Sequence, residues 1–451
     1  MERERRVGVP RGTRRSLGPN PVTPVRLAPF PALVRFAHGP LGPRPRSRLG
    51  KFQANRGVPL GLWLRSGAVA TVAKIGDLAA EAGLRRIHVL AWRDLDDIEA
   101  GGSELHADRV ARLWAEAGIE VTMRTSFSAG SPSVAVRSGY RVIRRGGRYM
   151  VFPRAVLAEL AGGHGARDGL VEIWNGMPFL SPVWARGPRA TWVHQPHTEL
   201  WDRVLPRGRA AAGRVFERDL APRLYRSTPV VTLSESVRRQ LVDAFRLRPE
   251  RVHVVPPGID DRFVPNPRAR DPEPLLVAVG RLTSAKQFDR VIRVVARLRE
   301  HAPARLVIAG AGTERDRLAS LVSALDAEAW CELAGHVDDG ALASLYQRAW
   351  VLVSASSAEG WGMTITEAAA CGTPAVVSDI PGHADAVNDG ETGHLAARDG
   401  DFVDALARII NDPAHRARLG DAATARASSL TWERTAHDTL AVLAGEVRRK
   451  H

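Results

Sequence analysis

Short apolar runs that alternate with helical segments constrain this chain more than any other feature, because a β-α-β rhythm packs as a parallel sheet covered by helices. The rhythm starts at Arg86-Ile-His-Val-Leu90, which reads as a buried strand. A helix is expected over Ser103–Ala117, with Leu105, Val110, Leu113 and Trp114 as its apolar positions, Ser103 as N-cap and Gly118 as stop. Ile119–Met123, Leu170–Trp174, Ala190–His194, Val230–Leu233 and Val252–Val255 follow as strands. Residues 255–267, Val-Pro-Pro-Gly-Ile-Asp-Asp-Arg-Phe-Val-Pro-Asn-Pro, form a stiff proline-rich boundary.

A second series begins beyond it. Leu275–Val279, Arg305–Ala309, Trp350–Ser354 and Ala375–Ser378 read as strands, and Phe288–Arg299, Glu314–Leu325 and Met363–Ala370 as helices. The expected fold is α/β: two Rossmann-like, doubly wound parallel-sheet domains with the ligand site in the cleft between them. The expected division is a tail over 1–80, a first domain over 84–256, a second over 257–430, and a C-terminal segment over 431–451 that packs back on the first domain.

Charge separates the tail from the rest. The 451 residues carry a formal net charge of +15, a balance that draws a protein to polyanions. Residues 1–74 hold thirteen Arg and two Lys against Glu2 and Glu4, a surplus of +13, so the remaining 377 residues carry only +2. Ten prolines between Pro10 and Pro59 alternate with those arginines, a composition expected to stay disordered. Three readings of the tail stand: an inert solvated segment, a basic arm touching anionic membrane, or translation from an upstream start. No apolar core follows the basic start, so no secretory signal is expected. Only Cys331 and Cys371 are present, which excludes a disulfide scaffold and suits a cytoplasmic protein. No apolar run reaches about 18 residues, the length a spanning helix needs.

The chemistry concentrates at the strand ends of the second domain. Gly280-Arg-Leu-Thr-Ser-Ala-Lys286 places two cations on a strand–loop–helix junction, suited to a diphosphate, although alone they are equally two solvated cations. Gly310-Ala-Gly312 is a second glycine turn that lets a base or phosphate approach the backbone. Glu359-Gly-Trp-Gly-Met-Thr-Ile-Thr-Glu367 sets one carboxylate on a glycine-rich loop and another on the next helix. Gly360, Trp361, Gly362, Met363 and Thr364 then line a ligand near a helix start, with Glu359 suited to a sugar and Glu367 to a ribose.

These motifs resemble the retaining GT-B glycosyltransferases of family 4. The resemblance runs from about 86 to 445 and rests on Glu359-x7-Glu367, the following Ala368-Ala-Ala-Cys-Gly-Thr-Pro374, Gly280-Arg281-Leu282 through Lys286, Asp389-Gly-Glu-Thr-Gly393, and Gly101-Gly102-Ser103-Glu104. His194-Gln-Pro-His197 lies where the family has a histidine near the donor sugar; His194, which ends its strand, is preferred over His197. Gln287 stands where the family commonly has Gly, and the frequent Pro-Glu pair is replaced near Ala384-Asp385.

The resemblance implies a hexosyltransferase that takes a nucleotide-diphosphate sugar of GDP-mannose or UDP-glucose type and serves a lipid, glycan or small-molecule acceptor. Arg281 and Lys286 would stabilise the leaving diphosphate in place of a metal ion, Glu359 and His194 would sit at the transferred sugar, and Glu367 would hold the ribose. No cofactor or metal is then expected, and no nucleic-acid partner. The expected place is the cytoplasm, with peripheral contact at the inner membrane face. A GT-B sugar-nucleotide epimerase is the alternative, and a basic nucleic-acid-binding protein a remoter one. A dinucleotide-dependent dehydrogenase fits less well, since neither glycine turn has the full G-x-G-x-x-G pattern.

Overall fold

Two parallel sheets organise the chain, each wrapped by helices. The structure is a computed structural model that describes residues 62–197 and 207–449. The first sheet, among the described residues, has the order β3-β4-β2-β1-β5-β6-β7-β8. Its strands are β1 (Arg86–Leu90), β2 (Glu120–Thr125), β3 (Val134–Arg137), β4 (Tyr140–Arg144), β5 (Gly169–Ile173), β6 (Arg189–Trp192), β7 (Val230–Thr232) and β8 (Val252–Val254). All neighbours pair in parallel except β3 and β4, an antiparallel hairpin closed by Ser138 and Gly139, both at positive φ. Turns of that sign match the twist of paired strands.

The chain in front of β1 corrects the expected tail. Helix α1 covers Leu62–Glu81, and its Ile75 and Ala79 are buried, so ordered structure begins well before residue 80. Positions 72, 75 and 79 recur at helical spacing and join the core of the first lobe. The rest of the expected tail, residues 1–61, lies outside the described residues.

Helix α2 (Gly102–Glu116) buries Ala107, Val110, Ala111, Leu113 and Trp114 on one face, and Gly118 at φ 89° follows its end. Gly101, not Ser103, is its N-cap: Glu104 reaches back to accept from the Gly101 N–H at 2.9 Å. On the opposite face of the sheet lies α3 (Val151–Leu160), packed over Leu90 and Leu170 through Val151, Phe152 and Ala155. Helix α4 (Glu235–Asp243) links β7 to β8 and is capped by Ser234, whose hydroxyl accepts from Val237 N–H at 3.3 Å.

The second sheet has the order β11-β10-β9-β12-β13-β14 and is parallel throughout. It comprises β9 (Leu275–Val279), β10 (Arg305–Ala309), β11 (Cys331–Gly335), β12 (Val351–Ser354), β13 (Ala375–Ser378) and β14 (Gly393–Ala396). Both faces are covered, so its strands read as unbroken apolar runs. Helix α5 (Met363–Ala370) follows β12, and the short α6 (Pro381–Ala386) follows β13.

Helix α7 (Trp432–Arg448) closes the chain on the first lobe. Trp432, Ala436, Leu440 and Leu443 face α1, α2 and the sheet, and the Trp114 indole N–H donates to Ala436 O at 2.9 Å. The two chain crossings between the lobes run side by side. Ile259 N–H donates to Leu430 O at 3.0 Å and Thr435 Oγ1 to Pro256 O at 2.8 Å. At Gly258 a Cβ would overlap the backbone nitrogen of Trp432, which leaves glycine as the residue that fits this crossing.

Candidate functional site

The candidate residues gather in loops at the carboxyl ends of both sheets, as the parallel arrangement dictates. β9 leaves through Gly280 and Arg281, and the turn Ser284–Lys286 sets Lys286 just before the helix over Phe288–Leu298. Gln287 adopts φ 48°, the left-handed region, so the glycine common at this place in the resembled family has a backbone reason. The close approach that Gly310 and Gly312 permit in this structure is to the Gly280 loop. A Cβ on either would overlap the carbonyl oxygen of Gly280 or Leu282, and Leu282 N–H donates to Ala311 O at 2.9 Å.

Lys286 and Glu359 meet in the second lobe. The Lys286 ammonium pairs with Oε1 of Glu359, which also accepts from the Ser356 hydroxyl at 2.9 Å. Burial alone would raise the Glu359 pKa; the Lys286 charge, His383 and the Ser356 hydroxyl outweigh it and hold the carboxyl below its ordinary range. His383 is fully buried beside this pair. Its Nδ1 lies 3.0 Å from Ser378 O and its Nε2 3.5 Å from Ser354 Oγ, and burial pushes its pKa down to about 4. His383 is neutral at ordinary pH.

Glu367 occupies a different environment. It lies one turn into α5, which Gly362 caps at φ 98°, and it is 9% exposed. Its Oε2 accepts from the Tyr346 hydroxyl at 3.1 Å. Burial, with Asp260 adding to it against that hydroxyl, pushes the Glu367 pKa up to about 7. Between the two acids, Trp361 is buried, while Met363 and Thr364 are half-buried.

The first lobe contributes at three points. Gly101 and Gly102 open α2 against the second lobe: a Cβ on Gly101 would lie 3.4 Å from Arg281 Nε, and one on Gly102 3.1 Å from Met363 Sδ. Arg281 itself donates from Nη1 to Glu99 O at 3.2 Å. His194 follows β6 and meets the second lobe through its carbonyl, which a Cβ on Gly360 would overlap. The His194 ring turns into the first lobe, with Nε2 3.1 Å from Nδ1 of His106, and its Nδ1 has no partner among the described residues. Burial, then the His197 charge, pushes the His194 pKa down to about 4, so the ring is a neutral hydrogen-bonding group rather than an acid. His197, its competitor, is also pushed to about 4 by burial, and its Nδ1 lies 3.1 Å from Gln195 O.

The structure thus brings Arg281, Gly360, Gly101 and Gly102 to the junction of the lobes, pairs Lys286 with Glu359 in the second lobe, and leaves Glu367 buried against Tyr346. Sequence reasoning missed Ser356, His383, His106 and Tyr346. His383, His106 and Tyr346 support predicted residues from positions where only the folded chain places them, Ser356 lies three residues before Glu359, and none belongs to a motif.

One further polar cluster lies inside the first lobe. His88, Glu159 and His164 bring ligand-type atoms within 4.8 Å of one another between β1 and α3. Both Nδ1 atoms meet Glu159 Oε1, at 2.8 Å from His88 and 2.6 Å from His164, and Arg167 Nε donates to Oε2 at 2.8 Å. Burial would raise the Glu159 pKa, but these partners outweigh it and hold the carboxyl far below its ordinary range. Three donors thus converge on the two carboxylate oxygens.

Comparison with known proteins adds to this geometry. The family description "Glycosyl transferases group 1" matches residues 260–426, and "Glycosyltransferase Family 4" matches residues 100–263. The D-inositol 3-phosphate glycosyltransferase of Kribbella flavida is 31% identical over 392 residues, 76% of this chain and 90% of that protein. That of Kineococcus radiotolerans is 32% identical over 402 residues, with 76% and 90% covered. Among solved structures, sucrose-phosphate synthase from Thermosynechococcus elongatus aligns with a TM-score of 0.69 at 22% identity, covering 81% of this chain and 98% of that one. Anabaena Alr3699/HepE, solved with UDP and glucose, aligns at 0.61 and 17% identity, covering 79% and 98%.

Proposed function

Since the chain belongs to the family 4 (group 1) glycosyltransferases, with the GT-B fold, we propose that it moves a hexose from a nucleotide-diphosphate sugar to an acceptor hydroxyl with retention at the anomeric carbon. The observation that carries this reading is the Lys286–Glu359 pair at the carboxyl ends of the second sheet, with Arg281 on the same loop as Lys286 reaching Glu99 O of the first lobe. A diphosphate arriving there competes with Glu359 for the Lys286 ammonium. Its charge grows as the glycosidic bond breaks, so Lys286 and Arg281 stabilise the transition state more than the ground state. Glu359, released from the lysine, accepts hydrogen bonds from the sugar hydroxyls. The departing phosphate takes the acceptor's proton on the front face, and no protein nucleophile is required.

The two cations do the work a divalent ion does in other transferases. His194 orients the sugar as a neutral group. One solved structure of the same fold, 17% identical, is bound to UDP-glucose, and on that support UDP-glucose is tested beside GDP-mannose in a donor panel. The names of the curated relatives, D-inositol 3-phosphate glycosyltransferases, support testing a phosphorylated cyclitol as acceptor beside lipids and glycans. The curated relatives named above carry glycosyltransferase names, which favours transfer over epimerisation. We assign the enzyme to the cytoplasm, with the basic N-terminal residues in contact with anionic membrane; no described helix is long and apolar enough to cross a membrane.

A donor screen read by mass spectrometry tests the reading, with Lys286→Ala and Glu367→Ala as controls. Sugar transfer to any acceptor supports it. Interconversion of the sugar nucleotide without an acceptor would replace it with the epimerase.

Ribose binding by Glu367 has a pH signature. The free carboxyl has a pKa of about 7, and ribose hydroxyls donate to its ionised form, so the complex has the lower pKa. Below pH 7, nucleotide binding therefore releases a proton, and affinity rises with pH until it levels off above 7. Calorimetry with UDP and GDP at pH 6, in buffers of different ionisation heat, should read that release and lose it in Glu367→Gln. Proton uptake, or release that survives the substitution, would remove Glu367 from the ribose.

A further inference from the structure

The short helix α6 touches both the Glu359 loop and the other lobe. Gly382, in its first turn, lies so close to that loop that a Cβ would overlap the carbonyl oxygen of Glu359. His383 fills the space beside the Lys286–Glu359 pair. Asp385, two residues on, faces the first lobe, where its Oδ2 accepts from the Ser236 backbone N–H at 3.1 Å and from the Ser236 hydroxyl. Arg426 Nη2 donates to Asp385 O at 2.6 Å and fixes the helix to its own lobe.

Ser236 lies in the first turn of α4, where the helix dipole and free N–H groups favour a carboxylate. Ser234 and Ser236 hydroxyls lie 3.2 Å apart, which orients the Ser236 hydroxyl toward Asp385. The contact is charge-assisted and joins side chain to side chain between the lobes. The Arg281–Glu99 and Gly360–His194 contacts, by contrast, both end on a main-chain carbonyl of the first lobe.

We propose that Asp385 is a positioning residue that latches α6 to α4 and so makes the reactive placement of Glu359 depend on closure of the lobes. The proposal rests on the transferase reading for its kinetic consequence, but not for its structural one. With the latch made, α6 is clamped between Ser236 and Arg426, and Gly382 and His383 hold the Glu359 loop from behind. With the lobes apart, α6 loses one anchor, and the loop is free to shift by the small distances that matter for a group at the reacting sugar. The nucleotide-binding groups Arg281, Lys286 and Glu367 all belong to the second lobe, so the latch governs the chemical step rather than nucleotide capture.

The test uses the full chain with Asp385→Ala, Ser236→Ala and the double variant. Spin labels at Leu224→Cys and Glu391→Cys, exposed positions on the two lobes, report inter-lobe distance without any substrate. Asp385→Ala should broaden that distribution toward longer distances and lower kcat about tenfold or more, the effect of losing a charge-assisted pair. UDP or GDP affinity should stay within about twofold, since its contacts are untouched. The double variant should be no worse than Asp385→Ala alone, and Asp385→Asn, which keeps an acceptor oxygen, should recover part of the loss. An unchanged distance distribution, additive effects, or a parallel loss of nucleotide affinity and thermal stability would overturn the latch. If no donor supports transfer, the distance measurement still decides the contact, so the two readings fail separately.

Discussion

Lys286→Ala should lower kcat about a thousandfold, because one well-placed donor to developing charge contributes about 10²–10³ and a full positive charge contributes at least as much. Two losses combine. The leaving diphosphate loses a cation at the moment its charge grows, and Glu359 loses the ammonium that opposes the effect of burial on its carboxyl. The Glu359 pKa then rises, and part of the enzyme carries a protonated, weaker acceptor for the sugar hydroxyls. Lys286→Arg keeps the charge but changes its shape and reach, so it should recover only part of the rate. Single-turnover kinetics with the identified donor, beside circular dichroism to confirm the fold, make the measurement. A rate within a few-fold of the native enzyme would take Lys286 out of the chemistry.

The second large effect concerns stability. Glu159→Ala strands two imidazoles and the Arg167 guanidinium around an empty position, with the Glu159 side chain only 2% exposed in the native state. Removing one partner of a buried charged cluster costs about 3–5 kcal/mol. For a chain of this size that corresponds to a fall in Tm of roughly 3–5 °C. Glu159→Gln keeps one acceptor oxygen and should lose less. Thermal unfolding of the three proteins decides it, and an unchanged Tm in Glu159→Ala would show that the cluster contributes nothing net. Donor binding at 20 °C should be unaffected in the folded fraction, since the cluster lies between β1 and α3 and not among the lobe-junction residues.

Much of the fold was legible because the parallel strands are buried on both faces and spell unbroken apolar runs. β1, β9, β10 and β13 fall on Arg86–Leu90, Leu275–Val279, Arg305–Ala309 and Ala375–Ser378 as the pattern indicates. The β3–β4 hairpin escaped notice because β3 is an exposed edge, with Val134 and Val136 open to solvent and arginines between the apolar positions of β4. Helix α1 was hidden in a different way. Its sequence is continuous with a proline-arginine tail, and only packing against α7, 350 residues or more away, distinguishes it. At the site, residues in motifs could be named individually. Their supports could not, because His383 and Tyr346 act through contacts between separate segments of chain, and Ser356, three residues before Glu359, belongs to no motif. Asp385 shows this most clearly: its partner Ser236 is 149 residues away, in the other lobe.

The paired crossings at Gly258 and Thr431 have a consequence for how such a chain is built. Because the outgoing and returning strands touch, the second lobe is a cassette inserted into a first lobe whose cut ends already lie side by side. An insertion of this kind can be exchanged at two adjacent joints without moving α7 from its seat. The half that holds Arg281, Lys286 and Glu367 can therefore be exchanged as one unit, with both joints in the same place.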